Sequence, residues 1–384
     1  MAGNSGLSTK TFLLIAGEPS GDLLASELVW ALREKLPDAK FIGAGGPRMA
    51  AAGVELAFDL TQHAVVGLTD VLKNFFKFRA LFHQLLALAI ERKPDAVIGV
   101  DYGGFNLRFG HAVKEHVRNN PRANWNPKIV QFVSPQVWAS RPGRAKLLEA
   151  DYDLLLSIFP FEKEWYAQRA PKLRVEFVGH PVLDRIRKPE NQNRNTDAKT
   201  VLLLPGSRKS ELQQHLPVLL GALKIIQQKL PSTKAKMVLP DEELKKLAWA
   251  AQSGVEIQIG NLPEALAQAD VAIASTGTVT MECAFFGVPA VTLYKKPLLG
   301  LAIALGIITV KSFTMPNLMA GGEVYPEFIQ DAATAKNISR TALGLLQNES
   351  RREKIKSQLA KIVASLGEPG ASRRAAAAIL NLFP

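Results

Sequence analysis

Short runs of β-branched and leucine residues alternate with longer amphipathic stretches along most of this chain. Phe12–Ile15, Phe41–Ile42, Val97–Val100, Ile129–Val133, Leu154–Ile158 and Val175–Val178 predict one series of strands. Val201–Leu204, Lys236–Leu239, Glu256–Ile259, Val271–Ala274 and Ala290–Leu293 predict a second. Leu24, Leu28, Ala31 and Leu32 repeat with the helical period, and Asp22 stands where a cap belongs. Between the series, Arg187 to Lys199 holds one apolar residue in thirteen and predicts a linker. After Asp331 the pattern is helical to Pro384. Strand–helix alternation requires parallel sheets covered on both faces. The expected class is therefore α/β, with two doubly wound, Rossmann-like domains facing each other across a cleft. Their ligands belong at the carboxyl ends of the strands. The expected domains are 1–186, a linker at 187–199, and 200–384, the last helices being candidates for packing back on the first domain.

Composition narrows this. At roughly 150 residues per domain, 384 residues fit two domains. A hydrophobic content of 47% supplies cores that need no disulfide or metal staple. Cys283 is the only cysteine, so no disulfide forms within the chain and a reducing compartment fits. Met1 to Lys10 lacks the basic and apolar regions of a signal peptide. The longest uncharged apolar run, the fourteen residues Pro297 to Val310, falls short of the roughly 20 that span a bilayer. The chain reads as soluble or peripheral. A net charge of +12 favours a polyanion or an anionic membrane surface, or else is solubility spread over the surface. No RNP, zinc-finger or helix-turn-helix signature points to nucleic acid.

The strand ends carry the candidate chemistry. Ser275-Thr276-Gly277-Thr278 joins a strand to a helix that carries Glu282. Unpaired N–H groups and the helix dipole at such a turn capture phosphate. A carboxylate about one turn in accepts hydrogen bonds from ribose hydroxyls. The competing reading is an ordinary Ser/Thr-capped helix with an incidental Glu. Leu204-Pro205-Gly206-Ser207-Arg208 makes a second such junction, where the guanidinium fork and the turn suit a diphosphate. Ala16-Gly17-Glu18-Pro19-Ser20-Gly21-Asp22 gathers polar groups after the first strand, though a tight turn with Asp22 as cap would also explain it. Asp101 ends a strand before the pair Gly103-Gly104, as a general base or as a helix-capping Asp. Gly43-Ala44-Gly45-Gly46-Pro47-Arg48 fails the dinucleotide fingerprint at Arg48, and His111, Glu115 and His116 miss zincin spacing.

The segment from Val65 to Ile90 is apolar on more than one helical face and interleaved with Lys73, Lys77 and Arg79. Val65, Val66, Leu68, Leu72, Phe75, Phe76 and Phe78 form a candidate contact with anionic membrane and acyl chains. The alternative is a core helix with a lysine-rich outer face, and it fits the C-terminal half better.

In order along the chain, several of these segments resemble the lipid-A-disaccharide synthase family. They are residues 16–22, Gly45-Gly46-Pro47-Arg48-Met49, Val133-Ser134-Pro135-Gln136-Val137-Trp138-Ala139 and Phe159-Pro160-Phe161-Glu162. Val178-Gly179-His180-Pro181, Leu203–Arg208, Ser275–Thr278 and Pro316-Asn317-Leu318-Met319-Ala320-Gly321 complete the set. The resemblance implies a GT-B fold and inverting, metal-independent transfer from UDP-2,3-diacylglucosamine to 2,3-diacylglucosamine 1-phosphate. The product would be a β-1,6-linked disaccharide 1-phosphate, with no cofactor, at the cytoplasmic face of a Gram-negative inner membrane. It implies no nucleic-acid partner, and a homodimer is an assembly it allows. Asp101 would be the base, with Glu18 and Ser20 at the reaction centre. Ser207, Arg208, Ser275, Thr276, Gly277, Thr278, Glu282 and Asn317 would hold UDP. Two departures stand out. The family's Asp-x-Pro-Asp-Phe-Asn reads Asp101-Tyr102-Gly103-Gly104-Phe105-Asn106 here, without the second acid, and its Trp-Ala-Trp-Arg reads Trp138-Ala139-Ser140-Arg141. A UDP-sugar epimerase shares the expected architecture but needs no apolar membrane surface. A non-catalytic lipid- or nucleotide-binding protein is the third reading, and Gly104 is its motive.

Overall fold

The computed structural model describes residues 9–63, 71–185, 198–249, 255–295 and 310–383. The chain divides into two compact units, Met1–Asp184 with Leu366–Pro384, and Arg185–Ser365. Most of the expected linker and nearly all of the run Pro297 to Val310 lie outside the described residues, as do Val65, Val66 and Leu68.

The first unit is a seven-stranded sheet in the order β3-β2-β1-β4-β5-β6-β7. Its strands are β1 (Thr11–Ala16), β2 (Lys40–Gly45), β3 (Glu55–Asp59), β4 (Ala96–Val100), β5 (Lys128–Phe132), β6 (Leu154–Ser157) and β7 (Val175–Phe177), all in parallel pairs. β1 and β4 are almost wholly buried, which is why they read as unbroken apolar runs. Helix Pro19–Lys35 buries the predicted Leu24, Leu28 and Leu32. Asp22 does not cap it. The helix starts three residues earlier, and the Asp22 carboxylate instead accepts from the N–H groups of Gly46 (2.8 Å), Arg48 (3.0 Å) and Met49 (3.0 Å). It therefore caps the next short helix, Pro47–Ala51, and accounts for the segment that mimicked a fingerprint.

The first unit is also discontinuous in sequence. Helix Ala371–Leu380 packs against Pro19–Lys35. The Asp184 carboxylate accepts from Gly370 N and Ala371 N, and the Phe383 ring meets the edge of Phe12 at 6.1 Å.

The second unit holds β8 (Thr200–Leu204), β9 (Lys234–Leu239), β10 (Glu256–Ile259), β11 (Val271–Ser275), β12 (Ala290–Tyr294) and β13 (Glu327–Ile329). Their order is β10-β9-β8-β11-β12-β13, again parallel. In both units the order reverses beside the first strand, between β1 and β4 and between β8 and β11. Those switch points open the crevices in which doubly wound sheets bind ligands. The sequence pattern missed β3 and β13, one outer strand of each sheet. Cys283 is fully buried, and burial pushes its thiol well above the usual range, as befits a small core hydrophobe.

Candidate functional site

At the switch point of the second unit, β8 runs into Pro205-Gly206-Ser207-Arg208 and then helix Lys209–Lys229. Gly206 has φ +116°, and a Cβ there would strike the Glu211 carboxylate, so the turn needs glycine. Glu211 Oε2 accepts from Ser207 N at 3.1 Å, and its Oε1 lies 3.8 Å from Arg208 Nη1. The Arg208 side chain is 71% exposed. Behind the turn stands His215, which the sequence reading missed. Lys295 N donates to its Nε2 at 3.1 Å, so the proton sits on Nδ1 and is donated to Pro205 O at 2.7 Å. Burial pushes its pKa down and keeps the ring neutral. His215 thus ties the turn after β8 to the end of β12. Its position on the buried stripe of Leu212, Leu216 and Leu219 was the available signal, and it reads as core.

β11 delivers the second turn. Gly277 takes φ +129° and leads into helix Thr278–Phe286. Its carbonyl accepts from both Thr280 N (3.0 Å) and Thr280 Oγ1 (2.7 Å). The first-turn N–H groups of Thr278 and Val279 have no intrahelical acceptor and remain for a ligand. Glu282 follows on the same helix. Burial raises its carboxyl pKa, and no hydrogen-bond partner among the described residues offsets that burial. A half-buried carboxylate facing a cavity is placed to meet a ligand's donors.

These groups line one cavity of about 650 Å³ within the second unit. Ser207, Arg208, Ser275, Thr276, Gly277, Thr278 and Glu282 all face it, with Pro240, Gly260 and Gln330 from neighbouring strand ends and Tyr294 and Phe313 as an apolar wall. Asn317 does not. Its Nδ2 donates to Tyr325 O (2.7 Å) and Glu327 Oε1 (2.8 Å), and its Oδ1 accepts from Val324 N and Tyr325 N (both 2.8 Å). The amide is saturated and has nothing left for a nucleotide. Asn317 organises the loop behind Phe313, whose N–H donates to the same Glu327 carboxylate at 2.8 Å.

At the switch point of the first unit, the turns after β1 and β4 meet. The Tyr102 ring covers Gly17 so closely that a Cβ at Gly17 would overlap it. A Cβ at Gly21 would lie 3.6 Å from that of Asp101. Glu18 occupies the N-cap position of Pro19–Lys35, and its charge, added to burial, raises the pKa of Tyr102. Ser20 is exposed in the first turn. Asp101, Tyr102 and Val133 all have left-handed backbone, with φ of +52°, +45° and +68°. For a β-branched valine that is a strained conformation. Gln131 holds it: Nε2 donates to Asp101 O (2.8 Å) and Val133 O (3.2 Å), and Asn106 Nδ2 also donates to Asp101 O (2.8 Å). Burial raises the Asp101 carboxyl pKa above the usual range. The loop after β5 is anchored from below, where Trp138 Nε1 donates to Glu162 Oε1 at 3.0 Å and Ser134 Oγ to Tyr166 Oη at 3.1 Å. Full burial pushes Glu162 up to about 7.

Gly104 sits exposed in the first turn of helix Gly103–Asn119, and a Cβ there would meet nothing within 4 Å. Gly104→Asp should therefore stabilise the protein by about 1 kcal/mol, by removing a helical glycine and placing an acid at a helix N-terminus. A denaturant midpoint that fails to rise would contradict this.

The apolar segment resolves unevenly. Phe78 packs on the core beside Leu81 and Phe82, and Phe82 meets Phe105 and Phe109 at 5.3 and 5.5 Å. Phe78 is therefore a core contact, contrary to the membrane assignment. Phe76 is 74% exposed. The side chains of Leu72 and Phe75 lie outside the described residues.

The profile of the lipid-A-disaccharide synthetase family matches residues 12–381. The lipid-A-disaccharide synthase of Syntrophus aciditrophicus (strain SB) is 36% identical, covering 98% of this chain and 99% of that one. That of Myxococcus xanthus (strain DK1622) is 33% identical over 97% of each. Among solved structures, the UDP-GlcNAc 2-epimerase of Neisseria meningitidis, bound to UDP-GlcNAc, superposes with a TM-score of 0.61 at 13% identity, covering 97% of this chain and 100% of that one. MurG of Acinetobacter baumannii superposes at 0.56 with 16% identity, over 97% and 100%. At these identities the structural likeness bears on fold alone, and the fold is the GT-B arrangement of two Rossmann-like units.

Proposed function

The chain belongs to the lipid-A-disaccharide synthetase family, glycosyltransferases of lipid A biosynthesis, and from that premise we propose a division of labour between its two units. The second unit holds UDP-2,3-diacylglucosamine. The first unit holds 2,3-diacylglucosamine 1-phosphate and activates its 6-hydroxyl. Half-buried Glu282, with no hydrogen-bond partner among the described residues and in one cavity with a helix N-terminus and Arg208, is the observation that carries the donor assignment. Its carboxylate accepts from the ribose hydroxyls, while Arg208 and the N–H groups of Thr278 and Val279 meet the diphosphate. As the glycosidic bond to UDP breaks, the same groups stabilise the negative charge that develops on the leaving diphosphate. With that charge met by the protein, no metal is needed.

Asp101 takes the proton of the acceptor hydroxyl as its oxygen attacks the anomeric carbon from the side opposite UDP, giving inversion and a β-1,6 linkage. Its raised pKa suits the role, because a base works best when its pKa approaches the working pH. The acylated substrates stay in a bilayer, so the enzyme must come to them. No described helix is long and apolar enough to cross a membrane. A net charge of +12 and the exposed Phe76 support peripheral attachment to the anionic cytoplasmic face of the inner membrane.

The test is UDP release with EDTA present, with and without 2,3-diacylglucosamine 1-phosphate. Release that depends on the acceptor, together with disaccharide product, is expected. Epimerised donor without acceptor-dependent release, or no turnover at all, would defeat the reading.

A further inference from the structure

Three arginines gather on the first unit, and among the described residues none of them forms an ion pair with an acid. Arg141 precedes and Arg144 ends a 3-10 turn, Pro142–Arg144, closed by Arg144 N donating to Arg141 O at 3.0 Å. That turn leads into helix Ala145–Asp151, which packs on helix Gly103–Asn119. His111 Nδ1 and Arg118 Nη2 reach Asp151 across this contact, each at 2.8 Å. Arg108 shares their helical face, one turn nearer to Asp101, and so meets the start of the partner helix. Burial and the neighbouring charges of Arg141 and Arg108 push the pKa of Arg144 down. Arg118, Arg92 and Arg174 each reach a carboxylate. Among the described residues no ion pair forms at Arg108, Arg141 or Arg144. Crowded like charges are destabilising, and a bound anion reverses that. Guanidinium forks in number suit a phosphate, whose oxygens accept two hydrogen bonds from each.

We propose that Arg108, Arg141 and Arg144 bind a phosphomonoester, the 1-phosphate of the acceptor sugar. This rests on the reading of the first unit as the acceptor unit. The placement agrees with that substrate. Arg108 lies five residues beyond Gly103, roughly 7.5 Å along the helix from the turn that carries Asp101. The acceptor's reacting 6-hydroxyl and its 1-phosphate are carried on the two ring carbons that flank the pyranose oxygen. A base for the hydroxyl and a cationic cluster for the phosphate hold such a sugar in one orientation only.

The experiment compares two acceptors in detergent micelles, diacylglucosamine with and without the 1-phosphate. The proteins are the wild type, the Arg144→Ala variant and the Arg108→Ala/Arg141→Ala double variant, in which both altered residues are exposed. The wild type should prefer the phosphorylated acceptor. Each variant should lose roughly 10- to 100-fold in kcat/KM for it and little for the other, so that the preference collapses. UDP affinity should not move. Equal losses on both acceptors, or no loss, would overturn the site. So would variants that leave anionic vesicles yet keep normal micelle kinetics, because the cluster would then serve lipid headgroups. If the wild type uses neither acceptor, the functional reading fails and the site falls with it; an unchanged preference in active variants removes the site alone.

Discussion

Asp101→Asn should lower kcat by about two to four orders of magnitude and leave UDP affinity nearly intact. The substitution is mild everywhere except at the proton. Asparagine accepts left-handed backbone better than most residues, so φ +52° survives. The hydrogen bonds from Gln131 and Asn106 go to the backbone carbonyl of residue 101 and survive too. What disappears is the carboxylate. Because burial raises its pKa, the acid limb of the kcat/KM profile should lie above the ordinary carboxylate range, with activity rising as pH climbs through it. The same shift has a stability sign. In the folded state this group keeps a proton that the unfolded chain has released, so stability falls as pH rises from the ordinary value through the raised one. The asparagine variant escapes that loss and should melt slightly higher than the parent at neutral pH. Near-normal turnover would remove Asp101 from its role.

The donor side gives the second large effect. Arg208→Ala and Glu282→Gln should each weaken UDP binding by roughly 1.5–3 kcal/mol, the scale of a hydrogen bond to a charged group. Isothermal titration with UDP alone reads this without the acceptor. The glutamate variant carries a further signature. Glu282 is half-buried and desolvation raises its pKa, so its charge destabilises the empty protein at neutral pH. Glu282→Gln should therefore bind UDP less well and melt higher. A carboxylate with a purely structural role would show the reverse, a lower melting temperature with unchanged affinity. Unchanged UDP affinity in both variants would refute the donor assignment.

The central strands were legible because burial on both faces writes an unbroken apolar run. β3 and β13 were not. Each pairs on one side only, and each places an acid, Glu55 and Asp59 or Glu327, within a short half-buried stretch. The turns of the second unit were legible because phosphate chemistry needs glycine and small hydroxyl residues at a strand end. Residues that work from behind were not. Gln131 acts through backbone carbonyls, and His215 through one carbonyl and one N–H, so neither side chain announces its task. Asn317 comes to the nucleotide through the family resemblance alone, because in sequence a satisfied amide and a ligand-facing one read alike. Only the fold reveals that Tyr325 and Glu327 saturate it. Phe75, Phe76 and Phe78 cannot share one helical stripe, and the structure gives Phe78 to the core and Phe76 to the surface.

Helix Ala371–Leu380 also sets an order of events during synthesis. The first unit begins to emerge from the ribosome first, yet it lacks one of its own helices until the whole second unit has been made. Until then the flank of Pro19–Lys35 that this helix covers stays open, and Phe12 waits for Phe383. The entire second unit is made in that interval and is free to fold first. A chain cut short by a stalled ribosome before Ala371 would carry a complete second unit and an incomplete first one, whose uncovered helix would mark it for proteolysis.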